Sequence, residues 1–195
     1  MITNLIIIGA GALGREVFSL VQDINEQEKQ FEVIGFLDDG AELNSEIRGL
    51  KVLGTSQSIS FFKNTQFILA IGNPKLRKQL FNKVKESGAS LPNLIHPLAK
   101  IDKFFGSNWS TIEGNIICAN SVLSCEVELG NNNLINVGCI LSHDTQLGNH
   151  NTLMQGCIIN GFVKFKDECI VSPGLILRGK HELNEADIKL SLDNY

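Results

Sequence analysis

The second half of the chain has an apolar residue at every sixth position. The series starts at Phe105, is broken only at Thr111, and continues through Ile117, Leu123, Leu129, Ile135, Leu141, Leu147, Leu153, Ile159, Phe165, Val171 and Leu177. A period of six is neither the period of about 3.6 of a helix nor the period of 2 of an ordinary strand. It is typical of a hexapeptide solenoid, in which short parallel strands joined by tight turns form three faces in each coil.

A solenoid with three hexads in each coil predicts which residues are neighbours. Residue i lies beside residue i+18, at roughly the 4.8 Å spacing of adjacent strands. His143 is therefore expected to lie against Gly161, with Cys125 on its other side and Asp144 next to it in the same turn. A base, a carboxylate that holds its tautomer and a backbone N–H that faces an oxyanion are the parts that acyl transfer needs.

The first part of the chain has a different pattern. A continuous apolar strand from Leu5 runs into the glycine-rich turn 9–14, and a helix is expected from Arg15 to about Asn25. A second strand, Phe31–Leu37, ends at two aspartates. Glycines let a backbone and a helix N-terminus approach phosphate, and an acid after the second strand can accept from a ribose or base. Tight packing of strand on helix is the alternative explanation of the glycines.

Two domains are predicted from these patterns, a Rossmann-like domain over residues 1–92 and a solenoid with a short C-terminal cap over residues 93–195. Further elements of the first domain are a strand over 67–72 and a helix over 75–87. A domain of about ninety residues is half of a full dinucleotide-binding fold. We therefore expect it to bind a single nucleotide rather than NAD.

Composition narrows the range of partners. The net charge of −4, without a basic run, gives no footprint for nucleic acid or an anionic membrane surface. The apolar run from Leu5 to Ala12 is too short for membrane insertion or for a signal peptide, so a cytoplasmic protein is expected. The five cysteines lie in the solenoid without a CxxC pair, which favours reduced thiols over disulfides or a metal site.

Five motifs occur in a familiar order. They are GAGALGREV at 9–17, FLDD at 36–39, AIGNPKLR at 70–77, LIHP at 94–97 and SHD at 142–144 within the hexads. Together they resemble the sialic-acid O-acetyltransferase family, which includes nucleotide-sugar N-acetyltransferases of bacterial surface glycans such as O-antigen. The resemblance implies a small nucleotide-sugar-binding α/β domain followed by a left-handed parallel β-helix. It also implies a homotrimer that holds acetyl-CoA between neighbouring helices.

The resemblance also implies roles for individual residues. His143 matches the general base, Asp144 the acid that orients it, and Asn136 an asparagine near the acceptor. Gly161 matches a glycine whose N–H faces the acetyl carbonyl, and Thr152 replaces a second histidine and could donate to the thioester carbonyl. The positions expected to contact phosphate and nucleoside are Gly9, Gly11, Asp38 and Asp39, with Gly72 and Arg77 on the loop that faces them.

Two departures from the family pattern affect substrate and coenzyme. Leu13 stands where the family commonly has a histidine in the glycine loop. The hexads end near Leu177, and a short helical cap with Asn184 as its N-cap is expected afterwards, which leaves open how the adenine end of coenzyme A is held.

The expected activity is transfer of acetyl from acetyl-CoA to the amino group of a nucleotide-linked sugar, for example a UDP- or dTDP-4-amino-4,6-dideoxyhexose. Direct transfer is expected rather than an acyl-enzyme on Cys125. O-acetylation of sialic acid or another sugar is the enzymatic alternative, because one histidine base serves either nucleophile. A non-catalytic nucleotide-sugar-binding trimer is a further alternative. A zinc hydrolyase would need three convergent histidines, and the solenoid offers His143 and His150 on different faces.

Overall fold

The computed structural model describes residues 2–103, 110–179 and 182–183. The first domain has the elements β1 (Thr3–Ile8), α1 (Ala12–Gln27), β2 (Phe31–Leu37), β3 (Glu46–Ile47), β4 (Leu50–Gly54), a 3-10 helix (Ser56–Phe61), β5 (Thr65–Leu69) and α2 (Pro74–Glu86). Its sheet has the order β3-β4-β2-β1-β5 and is parallel except for the β3–β4 pair. Helix α1 begins three residues earlier than expected, inside the glycine motif.

Strand β1 is apolar throughout its second half because helices cover both faces of the sheet. Leu5 and Ile7 pack in one cluster with the buried side of α1, and Ile6 and Ile8 pack in another cluster with α2. All four side chains are almost completely buried. A strand covered on both faces needs a continuous apolar run rather than alternation, as the sequence shows.

The second domain is a parallel β-helix built from strands of two residues each. They are β6 (Leu94–Ile95), β7 (Lys100–Ile101), β8 (Ile116–Ile117), β9 (Val122–Leu123), β10 (Glu128–Leu129), β11 (Leu134–Ile135), β12 (Ile140–Leu141), β13 (Gln146–Leu147), β14 (Thr152–Leu153), β15 (Ile158–Ile159), β16 (Lys164–Phe165), β17 (Ile170–Val171), β18 (Ile176–Leu177) and β19 (Glu182–Leu183). From β8 onwards each strand pairs with the strand 18 residues later, as Ile116 does with Leu134. The predicted register of the hexads is confirmed.

The strands stack into three sheets whose outer residues differ. The covered face (β6, β8, β11, β14, β17) carries Leu94, Ile116 and Leu134, which are buried against the first domain. The apolar face (β7, β9, β12, β15, β18) points Val122, Ile140, Ile158 and Ile176 outwards, and the polar face (β10, β13, β16, β19) points Glu128, Gln146, Lys164 and Glu182 outwards. The inner residues of the hexads, such as Ile135 and Leu153, form the core of the β-helix.

The first coil is longer than the others. Leu94 pairs with Ile116, and Lys100 pairs with Val122, so both pairs are offset by 22 residues instead of 18. Four additional residues between β7 and β8 therefore interrupt the hexads near Thr111. The first strand of the β-helix begins at Leu94. Phe105, the start of the apolar series, lies outside the described residues, as does the helical cap expected near Asn184.

Between residues 114 and 174, each corner of the β-helix contains one residue in the left-handed backbone region. Its φ lies between 55° and 75° at eleven successive sixth positions: Gly114, Asn120, Glu126, Asn132, Gly138, Asp144, His150, Gly156, Phe162, Glu168 and Gly174. Glycine and asparagine adopt this conformation readily, whereas bulky side chains rarely do. The hexad spacing therefore fixes the backbone at the corners as well as the core.

Candidate functional site

His143 and Asp144 lie at a corner between the apolar and the polar face. The imidazole Nδ1 is 2.8 Å from Asp144 Oδ2. Because an ionised carboxylate only accepts hydrogen bonds, Nδ1 carries the proton in the neutral ring and Nε2 keeps its lone pair. The His143 side chain is 51% exposed, so a reactant can reach it. This arrangement can remove a proton at Nε2.

Gly161 lies directly under the imidazole. A Cβ built on this glycine would be 2.5 Å from His143 Cε1 and 2.8 Å from Nε2, so the ring lies on bare backbone. The contact predicted from the 18-residue spacing is confirmed. On the other side of His143, the backbone N–H of Asp144 donates to the carbonyl oxygen of Cys125.

Phe162 is a neighbour of His143 that sequence reasoning did not single out. The two ring centroids are 5.1 Å apart and the ring planes are 84° apart, an edge-to-face contact. A signal was present in the sequence, because Phe162 occupies a corner position that takes glycine or asparagine at six of the eleven corners between residues 114 and 174.

A cavity of about 460 Å³ lies between α1 and the corner that joins the covered face to the apolar face. Leu13 and Arg15 line it from α1, and Cys118, Asn136 and Val137 line it from the β-helix. Burial raises the pKa of the Cys118 thiol to about 12, so this sulfur is a neutral wall of the cavity. The structure thus places Asn136 in a cavity shared by both domains. His143 does not line this cavity within the single chain.

A second, smaller cavity of about 160 Å³ lies at the carboxyl ends of β1 and β2. It brings together Gly9, Asp38 and Asp39, three of the residues expected to contact a nucleotide. Burial by itself raises the pKa of the Asp38 carboxyl, but backbone N–H donors from Ala10, Gly40 and Ala41 outweigh it and hold the pKa below its usual value. Asp39 accepts from the backbone and the hydroxyl of Ser56.

The glycines of the first domain fall into two groups. Gly9 has φ +106°, and a Cβ on it would be 2.6 Å from the Ala70 carbonyl oxygen; a Cβ on Gly14 would collide with the Gly9 carbonyl. Packing therefore requires these two glycines. A Cβ on Gly11 or Gly72 would have nothing within 4 Å. Packing does not explain those two glycines, and both are exposed.

Comparison with known families gives a match over the first domain. Residues 4–84 match the family described as the PglD N-terminal domain. The comparison with curated protein sequences gave no match.

Three solved structures share the fold of the whole chain. The acetyltransferase domain of PglB from Neisseria gonorrhoeae FA1090 superposes with a TM-score of 0.84 at 23% identity, over 94% of this chain and 86% of that one. PerB from Caulobacter crescentus, in complex with CoA and GDP-perosamine, gives 0.75 at 21% over 93% and 91%. WeeI from Acinetobacter baumannii AYE gives 0.75 at 22% over 94% and 89%. The predicted fold class, a Rossmann-like α/β domain before a left-handed parallel β-helix, is confirmed.

Arg77 joins the first domain to the β-helix. Its side chain is 1% exposed and donates to the carbonyl oxygens of Ile71, Gly72, Asn132, His150 and Asn151. Burial lowers the pKa of the guanidinium to about 10, which leaves it charged at neutral pH. The structure therefore uses Arg77 in the contact between the domains rather than on a surface that faces nucleotide.

Thr152 belongs to the same contact. Its hydroxyl accepts from Arg77 Nη1 at 2.7 Å and donates to the Gly72 carbonyl oxygen at 2.9 Å, and the residue is fully buried. This hydroxyl is already committed, so the geometry gives no support to the expected donation to a thioester carbonyl.

His96 is a further contact between the domains. Its Nδ1 accepts from the backbone N–H of Leu98, so in the neutral ring Nε2 carries the proton and donates to Asp23 of α1 at 2.9 Å. Both ring nitrogens of this histidine have partners.

No helix in the described ranges is long and apolar enough to cross a membrane. The described part of the chain also contains no group of three or more His, Cys, Asp or Glu side chains arranged to hold a metal ion.

Proposed function

We propose that this chain is an acetyl-CoA-dependent acetyltransferase that acts on the amino group of a nucleotide-linked sugar, with His143 as the general base. The observation that carries the proposal is the half-exposed imidazole whose Nδ1 is held by Asp144 and whose ring lies on the Gly161 backbone. The fold supports it, because the PglB domain has been solved with acetyl coenzyme A and PerB with CoA and GDP-perosamine.

The proposed reaction is a direct transfer in a ternary complex. His143 Nε2 takes a proton from the sugar amine while the nitrogen attacks the acetyl carbonyl. The new C–N bond forms as the C–S bond breaks, and the thiolate leaves. Asp144 keeps the ring in the tautomer that accepts at Nε2 and stabilises the imidazolium that forms. The backbone N–H of Gly161 is the candidate donor to the developing oxyanion. Cys125 forms no bond to the acetyl group.

We propose that the nucleotide binds to the first domain. Gly11 lies at the N-cap of α1 without a side-chain cap, and helix N-termini attract phosphate. Gly9, Asp38 and Asp39 form the small cavity beside it, and Gly72 leaves its backbone accessible on the facing loop. The proposed product is a building block of bacterial surface glycans that is made in the cytoplasm.

The active form is proposed to be a homotrimer. The apolar face exposes Ile140 and Ile176 to 37% and 47%, and a row of apolar side chains on a β-helix calls for a cover. His143 lies at one edge of this face and Asn136 at the other. Closed association through the face would bring His143 of one copy to the cavity of the next copy, where both domains contribute side chains.

The mass in solution tests this assembly. We expect sedimentation to give a trimer for the wild type and smaller species for Ile140→Glu. Lys164→Glu on the polar face is the matched control and is expected to stay trimeric. A monomeric wild type, or dissociation by both changes, would refute the assignment of the apolar face.

Transfer assays test the reaction itself. Thiol release from acetyl-CoA is followed together with the mass of the acceptor, for UDP-, dTDP- and GDP-linked 4-amino sugars and for sialic acid. One acetyl added to one amino sugar, lost in His143→Asn and kept in Cys125→Ala, is the expected result. Transfer to sialic acid alone would establish the O-acetyltransferase instead. No transfer and no binding of acetyl-CoA would leave a non-catalytic nucleotide-sugar-binding trimer.

A further inference from the structure

Phe162 occupies a backbone conformation that suits it poorly. Its φ is +65°, and six of the eleven left-handed corners carry glycine or asparagine, which adopt this region with little strain. A phenylalanine at such a corner is rare, because its Cβ crowds the following carbonyl. A bulky residue kept in an unfavourable conformation often has a function at that position.

Packing of the protein core does not explain this residue. The Phe162 side chain is 43% exposed and lies outside the core of the β-helix. Its ring meets the imidazole of His143 edge to face at 5.1 Å. Its backbone N–H donates to the His143 carbonyl oxygen at 3.2 Å, which ties the two corners together. The contact with His143 is thus the feature that distinguishes this side chain.

The imidazole needs more than one contact to keep a single orientation. The hydrogen bond from Nδ1 to Asp144 fixes one atom of an exposed ring, and the ring can still turn about that bond. Gly161 limits movement towards the backbone below. An aromatic edge at right angles to the ring limits the remaining rotation.

We propose that Phe162 is a positioning residue for His143, which keeps Nε2 turned towards the acceptor. The inference rests on the proposed function of His143 as the base. Phe162 itself takes no part in proton transfer and contacts the base rather than the reacting atoms. Its loss should therefore slow the chemical step without weakening the binding of either substrate.

The test removes the aromatic ring of Phe162 and retains the left-handed backbone conformation of the corner. Phe162→Asn puts a residue that tolerates the left-handed region at this position, so its melting temperature should not fall. We expect kcat to fall roughly tenfold to hundredfold, the effect of a misplaced catalytic group, with KM for acetyl-CoA and for the nucleotide sugar within twofold. Phe162→Tyr should restore kcat. Glu126→Asn, at the matching corner two coils earlier, is the control and should change neither constant.

The outcomes separate this inference from the proposed function. If the wild type transfers acetyl in a His143-dependent way and Phe162→Asn has an unchanged kcat, the inference about Phe162 is overturned while the proposed function stands. A rise in KM with kcat unchanged also overturns it, because Phe162 would then bind substrate. Absence of transfer by the wild type refutes the proposed function. If the asparagine variant does not fold, Phe162→Leu provides the same kcat and KM comparison.

A measurement that needs no activity tests the contact itself. The Cε1 proton of His143 lies in the ring-current field of Phe162, so its NMR shift should move in Phe162→Leu and stay in Glu126→Asn. An unchanged shift in Phe162→Leu would show that the two rings do not hold each other in solution, and would overturn the inference.

Discussion

Two columns of corners run along the β-helix with the same backbone conformation and different residues. The column between the covered and the apolar face has Asn120, Gly138, Gly156 and Gly174. The column between the apolar and the polar face has Glu126, Asp144 and Phe162, none of which is glycine or asparagine. The first column has residues that adopt the left-handed conformation with little strain. The second has side chains that adopt this conformation less readily. Among its three corners in the described residues, Asp144 and Phe162 contact His143.

A left-handed corner favours glycine or asparagine, and another residue there costs roughly 1 kcal/mol. Five of the eleven corners between residues 114 and 174 carry another residue, so this cost alone does not identify a function. Where such a corner residue contacts an exposed histidine, we attribute its presence to that contact.

The largest difference is expected between alanine substitutions at Gly161 and at Gly156. A Cβ at Gly161 would collide with the His143 ring, so Gly161→Ala should lower kcat by about a hundredfold with little loss of stability. A Cβ at Gly156 meets open space at φ +68°, so Gly156→Ala should cost about 1–2 kcal/mol of stability and leave kcat unchanged. Kinetics and thermal unfolding of both variants check this. Equal loss of activity in the two would mean that Gly161 serves only the turn.

The third column, which faces α2, allows a test of stability rather than rate. Asn132 and His150 are corners of this column. Arg77 donates to the carbonyl oxygens of Asn132, His150 and Asn151, and Arg77→Met would leave these oxygens without this donor. We expect a loss of at least about 3 kcal/mol, equivalent to a fall of about 6–12 °C in Tm. Lys78→Met is the matched control. It removes a partly exposed ion pair with Glu168 and should lower Tm much less than Arg77→Met does. Similar losses in both variants would contradict the assigned role of Arg77.

The glycines of the first domain also have two different roles: packing requires Gly9, whereas Gly11 is proposed to contact the nucleotide. Gly11→Ala meets no neighbour, so stability should fall by less than about 1 kcal/mol, while KM for the nucleotide sugar should rise roughly tenfold as the backbone becomes less accessible. Gly9→Ala should instead lower Tm strongly, because its φ of +106° and the nearby Ala70 carbonyl exclude a Cβ. An unchanged KM in Gly11→Ala would remove this glycine from the nucleotide site.

The smallest expected effect is the loss of stability at low pH that follows from protonation of Asp38. Backbone donors hold the pKa of Asp38 in the folded chain below its value in the unfolded chain. Protonation therefore favours unfolding, and the stabilisation is present above about pH 4 and is lost as the pH falls towards the folded pKa. The Tm difference between wild type and Asp38→Asn should be a few degrees at pH 7 and smaller at pH 3. A constant difference between these pH values would argue against the shift.

Much of the β-helix could be predicted because its repeat fixes spacing directly. The 18-residue register put His143 on Gly161, and the order of motifs indicated the two-domain fold. The four additional residues of the first coil gave no comparable signal, since only the pairing of Leu94 with Ile116 reveals them. The contacts of Arg77 and Thr152 depend on how two domains meet, which no local pattern encodes. Phe162 could have been found from the sequence by asking which corners depart from glycine and asparagine.

The contact made by Arg77 has a consequence for motion. Four of its six hydrogen bonds, to Asn132, His150, Asn151 and Thr152, cross to the β-helix, and the Thr152 hydroxyl donates one back to Gly72. Swinging one domain away from the other would break these five hydrogen bonds together. We therefore expect the two domains to keep their relative orientation when a substrate binds.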